Sequence, residues 1–220
     1  MSSRQEEKEQ RRQERLQREA AAQAAAKRKR LVQLIGGVVV ACAIVAGVVF
    51  ALGNGGGGKV DNAGLQGVAR AAGCVYRAFP DEGRGHSAAK LTAANYKTNP
   101  PTSGTHNPNP AADGLYAPGN EPAIPNWVHT LEHGRVLLQY KPGTDAATVA
   151  QLTTLFNENV AGSGGGYHSV LMQNNSKMTA QVAAVAWRHF MTCSEFTPKT
   201  IGALRKFRDA LIDKGPETVP

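Results

Sequence analysis

Along the chain the apolar residues fall into three unlike patterns. Residues 1–30 are almost wholly polar or alanine. Residues 31–52, LVQLIGGVVVACAIVAGVVFAL, contain one sizeable polar side chain, Gln33, and no charge. A helix of that length, at about 1.5 Å per residue, reaches about 33 Å, enough for the roughly 30 Å hydrocarbon core of a bilayer. The run predicts a transmembrane helix over 31–52. Residues 53–59, GNGGGGK, open a flexible linker predicted over 53–69. A globular domain is predicted over 70–218, long enough to bury one core.

The regular part of that domain begins near residue 135. RVLLQYKP reads as a buried strand stopped by Pro142. TDAATVAQLTTLFNENVAG offers Thr144 as a helix cap, with Val149, Leu152, Leu155, Phe156 and Val160 at helical spacing. YHSVLMQN reads as a second strand. QVAAVAWRHFMTC reads as a third, with Val182, Val185, Trp187 and Phe190 as core candidates. TPKTIGALRKFRDALIDKG starts at Thr-Pro and stops at Gly215, and its apolar stripe is Ile201, Leu204, Phe207 and Leu211. The segment before residue 135 is rich in Gly, Pro and Asn and cannot be regular helix throughout. The expected class is therefore α+β: a small extracytoplasmic domain with a mixed β-sheet, two main helices and a long irregular Pro/Gly-rich segment, preceded by one transmembrane helix.

Charge fixes the expected orientation. Lys27, Arg28, Lys29 and Arg30 directly precede the apolar run, and basic residues beside a span stay in the cytoplasm. The expectation is a single-pass protein of the cell membrane, with the N-terminus cytoplasmic and the C-terminal domain outside. A cleaved signal peptide is the competing reading, with ALG at 51–53 as its cleavage site, but it expects a shorter apolar region. The formal net charge of +8 is uneven: residues 1–30 carry ten basic and five acidic side chains, and 31–52 carry none. Attraction of the four basic residues to anionic lipid headgroups accounts for the basic balance without nucleic acid. The charged tail reads as a solvated helix, with a partner-binding helix as the second reading. Cys42 lies within the span. Cys74 and Cys193 lie where oxidation is permitted and are expected to pair, two free thiols being the alternative.

Candidate chemistry collects in the irregular segment and its border. His86, His106, His129 and His133 fall there, followed by His168, whereas His189 sits in a predicted strand. His129, Glu132 and His133 form H-x-x-E-H, the inverted zinc-protease pattern, in which a glutamate acts as base. Pro125 before it and Gly134 after it leave room for about one and a half turns of helix, against the long helix which that enzyme class uses. No convincing motif surrounds Glu158 or Glu195 as a further ligand. A Ser103 nucleophile beside His106 lacks an elbow motif and an acid partner. A metal site remains, expected from His106, His129 and His133, with His86 or Met178 completing it and Glu132 orienting an imidazole from outside the donor set. A thioether among the donors would favour copper, a carboxylate zinc. Alternatively, the imidazoles serve the hydrogen-bonding needs of buried loop backbone.

The stretches YKTNPPTSGTHNP, GLYAPGNEP, VHTLEHGRVLLQYKP, VAAVAWRHFMTC and FRDALIDKGPE together resemble the bacterial domain-of-unknown-function family 3105 over roughly residues 70–218. Its members show PPTSGPH, then HNLEHG running into a strand, then an AWG-like segment near a cysteine, then a helix ending near PE; they are commonly anchored by one N-terminal span. Thr105 stands for the usual proline, Thr130 for the usual asparagine, and AWRH for AWG, which puts a role for His189 in doubt. The family carries no established activity. The resemblance implies that His106, Glu132 and His133 hold signature positions, which favours a site over packing. The function expected is transition-metal binding, copper over zinc, for metal handling or sensing at the cell envelope. A non-catalytic envelope module is the first alternative. The second is a metal-dependent hydrolase using Glu132 as base.

Overall fold

Five-residue strands that are buried on both faces dictate the architecture. Val136–Tyr140 (β3) and Val182–Ala186 (β5) are buried at every position, so each must be covered from two sides. The computed structural model describes residues 60–160, 162–217 and 219. The apolar run 31–52 and the charged tail before it lie outside the described residues. Among the described residues no helix is long and apolar enough to cross a membrane.

In chain order the elements are α1 (Asn62–Ala71), β1 (Cys74–Ala78), a 3-10 turn (Ala93–Asn95), β2 (Gly114–Leu115), α2 (Ile124–Glu132), β3, α3 (Ala146–Phe156), β4 (Ser169–Gln173), β5, β6 (His189–Cys193) and α4 (Thr200–Leu211). The six strands form one mixed sheet in the order β1-β6-β5-β3-β4-β2. β3 and β4 run parallel, joined through α3, and β2 adds parallel to β4. The other pairings are antiparallel. The class is α+β, as the pattern implies.

Three details differ from the sequence reading. First, the helices number four among the described residues, not two. α1 begins within the stretch expected to be linker, because Leu65 and Ala69 give it an apolar face that packs on the core. α2 extends back to Ile124, since Pro125 stands in the first turn, where its missing N–H removes no hydrogen bond. Second, the apolar run 181–193 is a hairpin rather than one strand. Ala186 faces His189 and Val182 faces Cys193 across a turn at Trp187 and Arg188, with Arg188 at φ 63°. Third, the cap of α3 is Asp145 rather than Thr144, its carboxylate accepting from the Thr148 N–H at 2.8 Å.

One face of the sheet is covered by α1, α3 and α4, with Leu152, Leu155, Leu204, Phe207 and Leu211 packed on Val136, Leu138, Leu171, Val182 and Met191. The disulfide Cys74–Cys193 joins directly opposed residues of β1 and β6 on this side. The other face is covered by α2 and the irregular segment: Trp127, Val128 and Leu131 lie with Leu137, Val170, Met172, Val185 and Phe190. α2 ends directly before β3, so its last turn stands at the end of the sheet where β3 begins.

Candidate metal centre

Two pieces of irregular chain and the last turn of α2 build the site. The segments around 83–87 and 104–106 run side by side: the Gly104 N–H donates to Gly83 O at 3.1 Å, His106 N–H to Gly85 O at 2.9 Å, and Ser87 N–H to His106 O at 2.7 Å. A short parallel bridge thereby sets His86 against His106. Gly104, at φ 120°, lets the chain pass under Tyr96, whose ring would stand 3.1 Å from a Cβ there. The Tyr96 hydroxyl donates to Thr105 O at 2.9 Å, fixing the SGTH turn from the other side. On α2, His129 and Glu132 are three residues apart and share one helix face.

The four side chains converge. Ring centroids are 4.8 Å apart for His86 and His106, 4.9 Å for His86 and His129, and 4.7 Å for His106 and His129. One ligand atom from each of His86, His106, His129 and Glu132 can be chosen so that all lie within 4.8 Å of one another. An ion at about 2.0–2.2 Å from each donor needs them about 3.3 Å apart, so the donors would have to close in around it. His106 and Glu132 are fully buried, His129 nearly so, and His86 is half exposed. The chamber therefore has a fixed floor and an open rim. The rim also carries Arg84, its Nε 4.0 Å from Glu132 Oε1.

Hydrogen bonds settle which nitrogens face the centre. His106 Nδ1 lies 2.7 Å from Gly104 O, and His129 Nδ1 lies 2.7 Å from Asn107 O. A carbonyl oxygen only accepts, so both Nδ1 atoms carry hydrogen and donate. In the neutral rings both Nε2 atoms are then bare lone pairs. Burial pushes the His106 imidazole down to about 4, against the opposing pull of Gly104 O, so it is neutral at pH 7. Burial likewise lowers His129. His106 Nε2 nevertheless stands 2.9 Å from Glu132 Oε2, and neither atom has a hydrogen-bond partner. Two acceptors at that distance repel unless a proton or a cation lies between them. Burial, then the charge of Glu217, pushes the Glu132 carboxyl up, against the pull of His86 and Arg84.

Not every expected ligand is placed here. His133 caps α2, and its Nε2 lies 3.4 Å from Glu217 Oε2. With His129 it forms a second group, His129, His133 and Glu217, and its ring stands 4.5 Å from that of His129. Glu132, expected outside the donor set, offers a donor oxygen directly. Met178 belongs to the opposite end of β3: its N–H bonds the Asn174 side chain, and the Asn174 N–H bonds Tyr140 O. The length of the strand, about 13 Å at about 3.3 Å per residue, separates it from the chamber. Ser103 is buried with its hydroxyl accepting from the Glu82 N–H at 3.1 Å. Glu158 is held by Arg205 and Arg208, and His168 by Asp213 at 2.5 Å. His189 stacks on Tyr76 with centroids 5.9 Å apart and meets its hydroxyl at 2.9 Å. Glu217 had no local motif to betray it; the only sequence signal was the PE ending of the resembled family.

No curated protein and no solved structure matches the chain. The stretch shared with a known family runs over residues 87–219, taking in His106, His129, Glu132, His133 and Glu217 and starting one residue after His86: the chain belongs to the family described as protein of unknown function DUF3105.

Proposed function

We propose that the domain binds a divalent transition-metal ion through His106 Nε2, His129 Nε2 and Glu132 Oε2, with His86 closing the set from the rim. The approach of a bare imidazole nitrogen to a buried carboxylate oxygen, at 2.9 Å and with no hydrogen bond, carries this reading. A cation between them turns a repulsion into two coordinate bonds. The Nδ1 donors to Gly104 O and Asn107 O then act as outer supports that fix each ring's tautomer and aim. Hydrogen bonding to loop backbone explains the Nδ1 atoms alone; the Nε2–carboxylate pair takes either a proton, as in a structural module, or a cation, and metal analysis separates the two. The hydrolase reading needs Glu132 free to take a proton, whereas its Oε2 stands within the donor group.

Three imidazoles and a carboxylate suit zinc or copper(II). The preference for copper over zinc rested on a thioether, and with Met178 at the far end of β3 that ground is gone. With the apolar run 31–52 as an anchor and the basic residues 27–30 at its cytoplasmic edge, the ion would be held outside the cell, for handling or sensing at the envelope. Metal analysis of the purified full-length chain after incubation with zinc or copper(II) tests the reading. One equivalent per chain, lost in His106→Gln and Glu132→Gln variants that still unfold cooperatively, is the expected result. A wild-type protein that retains neither ion refutes it.

A further inference from the structure

His129 belongs to two donor groups, and that double membership has a chemical consequence. Its Nδ1 is committed to Asn107 O, so it has one free lone pair, on Nε2. That lone pair can serve an ion in the buried group with His86, His106 and Glu132, or an ion in the outer group with His133 and Glu217, but not both at once. The outer group is more open, since Glu217 is about two-fifths exposed and His133 about one-seventh.

Glu217 is not a loose terminal side chain. The segment after α4 is strapped across the turn that joins α2 to β3. The Asp213 N–H donates to Gly134 O at 2.8 Å and the Glu217 N–H to Glu132 O at 3.1 Å. Arg135 Nη1 donates to Val219 O at 2.7 Å and to His133 O at 2.9 Å. At Gly215 the two backbones touch: a Cβ there would stand 2.2 Å from both Glu132 O and Gly134 N. Three anchor points and a glycine without which the strap could not lie down hold the Glu217 carboxylate beside His133. So elaborate a placement is more than an exposed ion pair needs, as such pairs contribute little to stability.

We infer that His133 and Glu217 form an outer relay position through which a metal ion enters and leaves the buried position, His129 being the donor common to both. On the way out, the ion gives up Glu132 Oε2 and the imidazoles of His106 and His86 and gains His133 Nε2 and Glu217 Oε2. The ion keeps its charge, and a proton from solvent can take its place between His106 Nε2 and Glu132 Oε2. This rests on the metal-binding reading above.

The test uses the full-length chain with zinc(II) as probe. It measures ions per chain at saturation, the dissociation constant, and the rate of release to an excess of chelator. One ion per chain is expected. Glu217→Gln and His133→Gln are each expected to slow both uptake and release about tenfold while leaving the dissociation constant within about threefold. His106→Gln is expected to weaken binding by about a hundredfold or more. Exchange rates unchanged in both outer variants overturn the relay alone, as do two ions per chain. A loss of affinity in them as large as in His106→Gln also overturns it, by making them ligands of one ordinary site. No zinc binding by the wild type removes both the relay and the reading beneath it.

Discussion

The two faces of the sheet are built from different material. The face under α1, α3 and α4 is filled by aliphatic side chains on regular helices, and its strand residues meet Leu, Phe and Val. The face under α2 and the irregular segment also has an apolar layer, with Trp127 and Leu131 at its centre. Above that layer, however, lie buried polar atoms without hydrogen-bond partners: Glu82 Oε1, His106 Nε2 and both Glu132 oxygens, with Gln139 Nε2 beneath. Burying a polar atom unpaired costs about 1–3 kcal/mol. One face is therefore arranged for stability, and the other gives some of it up. Because regular helices hold the sheet from one side, loops on the other side can carry groups that weaken the fold.

The sharpest way to break this contrast is to damage each face in turn. Phe207→Ala, on the helical face, removes a fully buried ring and is expected to cost about 3–5 kcal/mol in urea unfolding. Metal affinity of the molecules that remain folded should be unaltered. Glu132→Gln should do the reverse: about a hundredfold or more loss of zinc affinity, with a metal-free protein at pH 8 that melts higher than wild type. The sign follows from burial raising the Glu132 carboxyl: the folded state holds the charge poorly, so an uncharged isostere removes a penalty that is present above its pKa. A melting temperature that falls would show that the carboxylate is satisfied in the metal-free fold. Zinc at about a hundred times its dissociation constant should stabilise the wild type by about 2.7 kcal/mol and the Glu132→Gln variant by far less, read from paired thermal melts.

Acid sharpens the same contrast more gently. The His106 imidazole is lowered to about 4 by burial, so below its unfolded value near 6.5 the unfolded chain binds a proton that the fold refuses. Stability from this group is complete above pH 6.5 and is lost as pH falls toward 4. That amounts to about 1.5 kcal/mol between pH 6.5 and 5. His129 and His133, also lowered by burial, and His189, lowered to about 4 by burial and by Arg188, act in the same direction. The metal-free protein should therefore lose urea resistance across this window, and His106→Gln should blunt the loss. The smallest effect belongs to neither face: Leu115→Ala, at a half-exposed residue of the edge strand β2, should shift stability by no more than about 0.5 kcal/mol.

The sequence read unevenly across the same divide. β3, β4, α3 and α4 were legible because both-face burial gives unbroken apolar runs and helix faces give 3–4 spacing. The β5–β6 hairpin was not, because its turn is Trp187 and Arg188, with no glycine, asparagine or proline to punctuate it. α2 is longer than its sequence suggests, because Pro125 is a first-turn residue rather than a barrier. On the irregular face the histidines announced themselves by type, but their partition did not. His133, beside His129 in the motif, turns to Glu217, more than eighty residues on, while Glu132 turns inward. Pairings of that kind are set by the strap after α4, which no local pattern encodes.

Val60 and α1 pack into the aliphatic layer, so the polypeptide joins the domain on the side away from the histidine chamber. The segment that carries Glu217, by contrast, lies against Glu132, so a bulky group joined to it should slow the loading and unloading of an ion.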